Sequence, residues 1–245
     1  IGLPAGWTVF NGYLIGPGAD LSGADLSGIN ISGADLSGVT LTGVRSGDIL
    51  GTPAALPNGW VLIKGYLVGP GADLSGAIFL GANFAGATLT GTNLEGATFF
   101  GGNFSGADFS GADLTSADLS GALFSGADFS GANMSGLTLS GLDLTNTNFT
   151  GADISGTDFS GTTLIGIQSG NLVGIPVGLP NDWVLIGGYL IGPGANLVNA
   201  DLKGLDLSGI NLEGIDLSGA NLTGCLLYTS PSPRDSVVSS MPSSA

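Results

Sequence analysis

The sequence predicts an all-β solenoid of short coils stacked one on another, and three observations lead there. Five-residue units recur thirty times in three unbroken registers, residues 19–43, 72–166 and 195–224. Within a unit the first and third residues are apolar and the second and fourth polar, which is the alternation of a strand with one face in and one face out. The fifth residue is nearly always Gly, which turns a corner without a Cβ penalty. A strand this short cannot bury its apolar face alone, so coils must stack, about 4.8 Å apart.

Taken in order, residues 1–18 are a partial connector. Leu3-Pro4-Ala5-Gly6-Trp7 and Gly12-Tyr13-Leu14-Ile15-Gly16-Pro17-Gly18 recur within 56–71 and 179–194. The chain starts inside this copy and not at Met, so native sequence is expected upstream. Full connectors follow at 44–71 and 167–194, each of 28 residues. Residues 1–224 read as one domain. The register is lost at Cys225, where Cys225-Leu226-Leu227-Tyr228-Thr229-Ser230-Pro231-Ser232-Pro233-Arg234-Asp235 resembles a translated sequencing adapter, and 225–245 is set aside as a non-native tail without a fold.

Units such as ADLSG, repeated in 19–43, resemble the A(D/N)LxX pattern of the pentapeptide-repeat family. That resemblance implies a right-handed quadrilateral β-helix in which four pentapeptides make one coil of twenty residues. Phe at twenty-residue steps (Phe84, Phe104, Phe124; Phe109, Phe129, Phe149) also favours four units per coil. A connector is then one coil plus eight residues. Each is read as an irregular coil with hidden units Gly47–Gly51, Trp60–Lys64 and Gly65–Gly69 and an enlarged corner at 52–59. The rival reading is a hairpin, Trp7-Thr8-Val9-Phe10 turning at Asn11-Gly12 into Tyr13-Leu14-Ile15, because Asn-Gly suits a type I′ turn.

The interior obeys a volume rule. The third residue is Phe at 79, 84, 99, 104, 109, 124, 129, 149 and 159, and its partner two residues earlier is always Ala, Gly or Thr. Where that partner is bulky (Ile29, Val39, Leu137, Leu142, Leu205, Ile210, Ile215), the third residue is Leu or Ile. An interior of fixed width demands this trade. On the outside, Asp73, Asn93, Asp113, Asn133 and Asp153 alternate acid and amide at coil spacing, which keeps like charges apart.

Composition removes most chemistry. The 245 residues hold 19 acids against 4 bases, no His and one Cys. A His base, a Cys/His zinc site and an intramolecular disulfide are excluded. The net charge of −15 argues against direct nucleic-acid binding, and no apolar run nears the ~18 residues of a membrane span despite a mean hydropathy of +0.44. A glycosidase pair needs a cleft that a filled rod lacks, the Asp pattern is not the RTX calcium repeat, and Gly-Pro-Gly lacks the P-loop Lys. No catalytic residue, metal or cofactor is expected.

Two groups remain as candidate interaction residues. Ile78, Leu80 and Phe100 take outward positions that are elsewhere polar, and the corner at 52–59 is their nearest expected cover. Trp60, Tyr66, Trp183 and Tyr189 of the connectors are read as covers of the interior, with sugar stacking as the rival role. Arg45 and Lys64 are expected to balance nearby Asp. The favoured function is a non-enzymatic, rigid, acidic spacer or binding scaffold, extracellular or at the cell surface, with an unknown protein or surface as partner. The alternatives are a DNA mimic that inhibits an enzyme such as gyrase, as the resemblance allows, and a surface binder of ice or polysaccharide. If connectors span three faces, the third copy points opposite to the first two.

Overall fold

A computed structural model describes residues 7–10 and 12–227, with no helix among them. Parallel bridges join second-position residues twenty apart, as in Asp73↔Asn93↔Asp113 and Ile78↔Thr98↔Asp118. Twenty residues are four units, so four columns of second-position residues run along the solenoid. The first column holds Thr88, Asp108 and Asp128, the second Asp73 and Asn93, the third Ile78 and Thr98, and the fourth Asn83 and Asn103.

The unit chemistry explains each corner. The second-position Asp or Asn accepts the backbone N–H two residues on, as from Ser22 to Asp20 (3.0 Å) and from Ser120 to Asp118 (3.0 Å). The fifth residue then takes a left-handed φ, +67° at Gly76 and +72° at Gly126. Three units lack Gly there, and Ser116, Asn146 and Asn199 adopt φ of +61°, +58° and +59° in its place. Asn tolerates this conformation better than most residues do.

All nine Phe side chains of the volume rule are buried, and those a coil apart stack nearly parallel. Ring centroids are 4.8 Å apart for Phe84 and Phe104 and 4.9 Å for Phe109 and Phe129. Gly102 follows from the same packing, since a Cβ there would lie 2.8 Å from Phe104 Cε2 and 3.0 Å from the Phe99 carbonyl oxygen. Buried Thr147 and Thr157 satisfy their hydroxyls by donating to the carbonyls of Leu144 and Met134.

The connectors contain hairpins, which overturns the enlarged-corner reading. β1 (Thr8–Phe10) pairs antiparallel with β2 (Tyr13–Ile15), β3 (Val61–Ile63) with β4 (Tyr66–Val68), and β5 (Val184–Ile186) with β6 (Tyr189–Ile191). Lys64 and Gly65 turn at φ +48° and +80°, the two positive values of a type I′ turn. Residues 52–55 stay on the coil, because Thr52 and Ala55 accept hydrogen bonds from Gly33 and Leu36. The hidden units also shift. Leu50, not Asp48, takes the second-position bridge to Asn30, and Asp48 turns the corner at φ +52°. The segments 60–64 and 65–69 are the arms of the hairpin and not coil units.

The coil continues through both connectors. Arg45 bridges Asp73 and Gln168 bridges Asn196, each across 28 residues, so a connector takes up a whole circuit and not three faces. Equivalent residues Asp20, Asp73 and Asn196 follow the three hairpins. Between Asp20 and Arg45 lie five units, one more than a circuit; between Asp73 and Gln168 lie nineteen, one fewer than five circuits. Asp20 and Asn196 therefore share the first column while Asp73 sits in the second. Hairpins one and three are aligned, hairpin two is one column away, and none is opposite.

The expected tail is described only in its first three residues. Leu226 bridges Asp206, so Cys225–Leu227 carry the coil register on, and 228–245 lie outside the described residues.

Candidate functional site

The second and third hairpins divide the interior into three core clusters, and the connector Trp residues join them. Half-buried Trp60 packs against the first and second clusters and Trp183 against the second and third. Each indole also lies on the first Gly of Gly-Pro-Gly. A Cβ on Gly69 would stand 2.5 Å from Trp60 Cγ, and one on Gly192 2.7 Å from Trp183 Cγ. The Gly-Pro-Gly motif thus serves indole packing.

Tyr66 is held on both sides. Its ring lies 4.7 Å from that of Phe79, and a Cβ on Gly47 would meet its Cε1 at 3.2 Å. Tyr189 lies against Gly170 in the same way, and its hydroxyl accepts the Asp201 N–H at 3.1 Å. Tyr66 is half-buried and packs against the core cluster beneath it.

Ser46 and Ser169 anchor the hairpins to the coil, a role that the sequence reading missed. Both are buried, and their hydroxyl oxygens accept the N–H groups of Leu67 (2.9 Å) and Leu190 (3.0 Å). Their recurrence at equivalent positions of the two connectors was the available signal. Beside the second and third hairpins lie clefts, of about 420 Å³ at Arg45, Asp48, Tyr66 and Asp73 and about 230 Å³ at the equivalent Gln168, Asn171, Tyr189 and Asn196. The first rim is charged and the second amide-lined. No group of three metal-ligating side chains occurs among the described residues.

The acid–amide alternation has a direct hydrogen-bond basis. Asn93 donates to Asp73 (3.2 Å), Asn133 to Asp113 (3.2 Å) and Asn148 to Asp128 (3.1 Å), each a coil below. Arg45, in the same column, places Nε 3.3 Å from Asp73. Lys64 does not balance an acid: its Nζ donates to the Leu80 carbonyl at 2.7 Å. Donation from the Ser22 hydroxyl and backbone holds the Asp20 carboxyl below its usual range, and Ser120 does the same to Asp118.

Ile78, Leu80 and Phe100 form an apolar patch, 59%, 52% and 58% exposed. The corner at 52–59 leaves it exposed: Thr52–Ala55 stay on the preceding coil, and Lys64 of the hairpin turn bonds the Leu80 carbonyl. Exposed Leu50 precedes Ile78 in the third column. A second patch escaped the sequence reading: Val173, Ile175 and Val177 are 55%, 78% and 74% exposed. Ala54 and Val177 sit at equivalent extra positions beside the second-position residues Ala55 and Gly178. An exposed Val in a connector was its signal.

Comparison with known proteins gives a family and several similar solved structures. The Pentapeptide repeats profile matches in eight copies, at 17–45, 71–106, 107–141, 127–166 and 195–229, more than half of the chain. Among solved structures, HetL, a pentapeptide repeat protein involved in heterocyst differentiation regulation from the cyanobacterium Nostoc sp. strain PCC 7120, is 27% identical. The match covers 86% of this chain and 87% of HetL, with a TM-score of 0.33. Rfr23 from the cyanobacterium Cyanothece 51142 is 25% identical over 42% of this chain and 88% of its own, with a TM-score of 0.35. A pentapeptide repeat protein of the Arabidopsis thaliana thylakoid lumen is 31% identical over 42% of this chain and 65% of its own, with a TM-score of 0.19. Comparison with curated proteins gives no match. With its repeats matched over most of the length and its coils bridged at twenty-residue steps, the chain belongs to the pentapeptide-repeat family.

Proposed function

We propose that the protein is a non-enzymatic, rigid, acidic spacer that presents its hairpins along a right-handed, four-sided rod outside the cell or at its surface. One observation carries this reading. The bridges Arg45↔Asp73 and Gln168↔Asn196 continue the coil past the second and third hairpins, so the two full connectors interrupt the core without creating a hinge. A spacer must keep its length, and an unbroken ladder does that. The units 19–224 then act as one body.

The two rival readings are weaker on magnitudes and on hydrogen bonding. About ten circuits at about 4.8 Å make a rod of about 50 Å. A net charge of −15 spread over that length is about one per 3 Å, against about one per 1.7 Å in B-DNA. For ice or polysaccharide, many outward hydroxyls are already committed: Ser32, Ser105, Ser135 and Thr150 donate to Asn30, Asn103, Asn133 and Asn148 of their own units.

Spin labels at exposed Ser37 and Ser208, in a Cys225→Ser background, test the spacer. A single narrow distance distribution is expected. A broad or two-peaked distribution would mean that a connector bends, and the spacer reading would be lost.

A further inference from the structure

One junction between coils of the long block lacks its ladder over half of the circuit. At a regular junction the third residue donates its N–H to the second residue of the next coil, which donates back to the first, as Phe99 to Asp118 (2.7 Å) and Asp118 to Ala97 (2.9 Å). The fifth residue adds a bond at each corner, as Gly101 to Ser120 (2.9 Å). Among the described residues, neither Leu119 with Thr138 nor Phe124 with Asp143 makes this exchange, and the corner N–H groups of Ser116 and Gly121 make no bond to Ser135 and Ser140. The bridges Asp118↔Thr138 and Leu123↔Asp143 do not form either, whereas Asp113↔Asn133 and Asp128↔Asn148 form on either side of them. Columns one and two thus run on while columns three and four part over one level. A cleft of about 440 Å³ lies there, between Ser116–Ser120 and Gly136–Thr138. Ala117 is partly exposed at it, although Ala97 and Leu137, its neighbours in the stack, are buried.

The interior supplies the cause. Among the first-position residues of 72–166 only Leu137 and Leu142 are bulky, and they follow Ala117 and Ala122 at this junction. A single branched residue is accommodated. Val39 follows Ala19 and Ile215 follows Ala195, yet Thr40 donates to Ala19 and Asp216 to Ala195 at 2.9 Å. Two adjacent Leu side chains in one coil exceed what an interior of this width holds, and overpacking is relieved by moving backbone. The coil keeps its bonds to the following level, Asp158 to Leu137 at 2.8 Å and Thr163 to Leu142 at 3.0 Å. The displacement therefore falls on the side of Ala117 and Ala122.

We propose that this junction is a joint built into the rod, the place where the long block opens first, with columns one and two as its hinge line and the paired leucines as its wedge. In a solenoid each coil contacts only its neighbours, so stability is a sum over junctions and the weakest one sets where the stack parts. This junction forgoes two bonds at each open column and one at each corner that the preceding junction makes. Opening separates a block that carries the first two hairpins from one that carries the third. At rest the bonds of columns one and two hold the blocks together, so the opening is a rare excursion and the rod keeps one length. The paired leucines give the rod a defined yield point between its second and third hairpins.

Native-state hydrogen exchange of the full chain, read amide by amide in increasing urea, tests the joint. The amides that decide it are those still bonded at its two ends, where Leu114 donates to Asn133 and Gly126 to Thr145, both at 2.9 Å. In urea below the unfolding transition these two should exchange about tenfold or more faster than Leu94 and Gly106, their equivalents one coil away. The double variant Leu137→Ala, Leu142→Ala gives both units the small first residue of their neighbours and should remove the difference. Comparing amides within one chain separates this effect from any change in overall stability. Leu114 and Gly126 as well protected as Leu94 and Gly106, or a difference that survives in the double variant, would each overturn the proposal. The spacer reading rests on the ladder across the connectors and stands whichever way this experiment falls.

Discussion

The Cβ that Gly69 lacks would stand 2.5 Å from Cγ of Trp60, and the same relation holds between Gly192 and Trp183. The indole can lie across the junction of two core clusters only because the backbone beneath it has no side chain. Gly69 does not have a left-handed φ, so its requirement is steric and not conformational.

Gly69→Ala should therefore destabilise the fold by about 1–3 kcal/mol, the usual range for overpacking. Gly76→Ala is a useful contrast, since its Cβ would meet nothing within 4 Å but its φ is +67°. In Gly69→Ala, Trp60 fluorescence should shift as the ring is displaced; in Gly76→Ala it should not. An unchanged Trp60 spectrum in Gly69→Ala would show that the ring does not rest there.

Much of this fold was legible because it is periodic. The interior volume rule works from sequence alone, since Phe79 to Phe159 share one cross-section and each leaves room only for a small partner. Asn133 could be read as a charge spacer from its place between Asp113 and Asp153. The connectors were harder, because each occurs only two or three times and its register cannot be averaged. Asn11-Gly12 announced a type I′ turn, but Lys64-Gly65 does not, and the hairpin there is held by Ser46 and Lys64 through contacts distant in sequence. Val177 was missed because it adds a residue beside Gly178, and a five-residue template has no place for it.

Ser46→Ala should cost about 1–3 kcal/mol, because it leaves the Leu67 N–H buried without an acceptor. Ser46→Thr keeps the hydroxyl but adds a methyl at a buried site, so it should recover only part of the loss. Denaturant unfolding of both variants measures this. Equal stability of Ser46→Ala and the wild type would mean that water replaces the hydroxyl.

Stability should fall in acid, and the sign follows from the Asp carboxyls. At Asp20, Asp118, Asp143 and Asp216 the side-chain hydroxyl two residues on, then its backbone N–H, hold the folded carboxyl below the ordinary value for Asp. The charged form is thus favoured by folding. Its contribution is fully present above the unfolded value and is lost as pH falls through the lower folded one. The melting temperature should be nearly flat from about pH 7 to 5 and should drop below about pH 4. Acid also relieves the repulsion of a chain at −15, which works the other way. A melting temperature that rises toward pH 3 would show that repulsion dominates.

Asn133→Asp isolates that repulsion at one site. Asn133 donates its amide hydrogens to Asp113 Oδ1 at 3.2 Å and to Thr115 Oγ1 at 3.0 Å, and it stands between Asp113 and Asp153 in the second column. The substitution keeps the acceptor for the Ser135 N–H but removes both donors. It also sets three carboxylates at successive levels about 4.8 Å apart, where each neighbouring pair costs about 1 kcal/mol in water and about 3.5 kcal/mol at an effective dielectric constant of 20. Part-burial of the column places the real figure between these limits, so a loss of about 2–5 kcal/mol is expected at neutral pH for the two new pairs. The loss should shrink as salt is raised, and it should shrink again below about pH 4 as the column takes up protons. Asn133→Ser, which also lacks the amide donors but adds no charge, separates the two effects. If Asn133→Asp and Asn133→Ser lose the same stability at neutral pH, with the same salt dependence, then the amides serve the column as hydrogen-bond donors and the spacing of charge has no part in it.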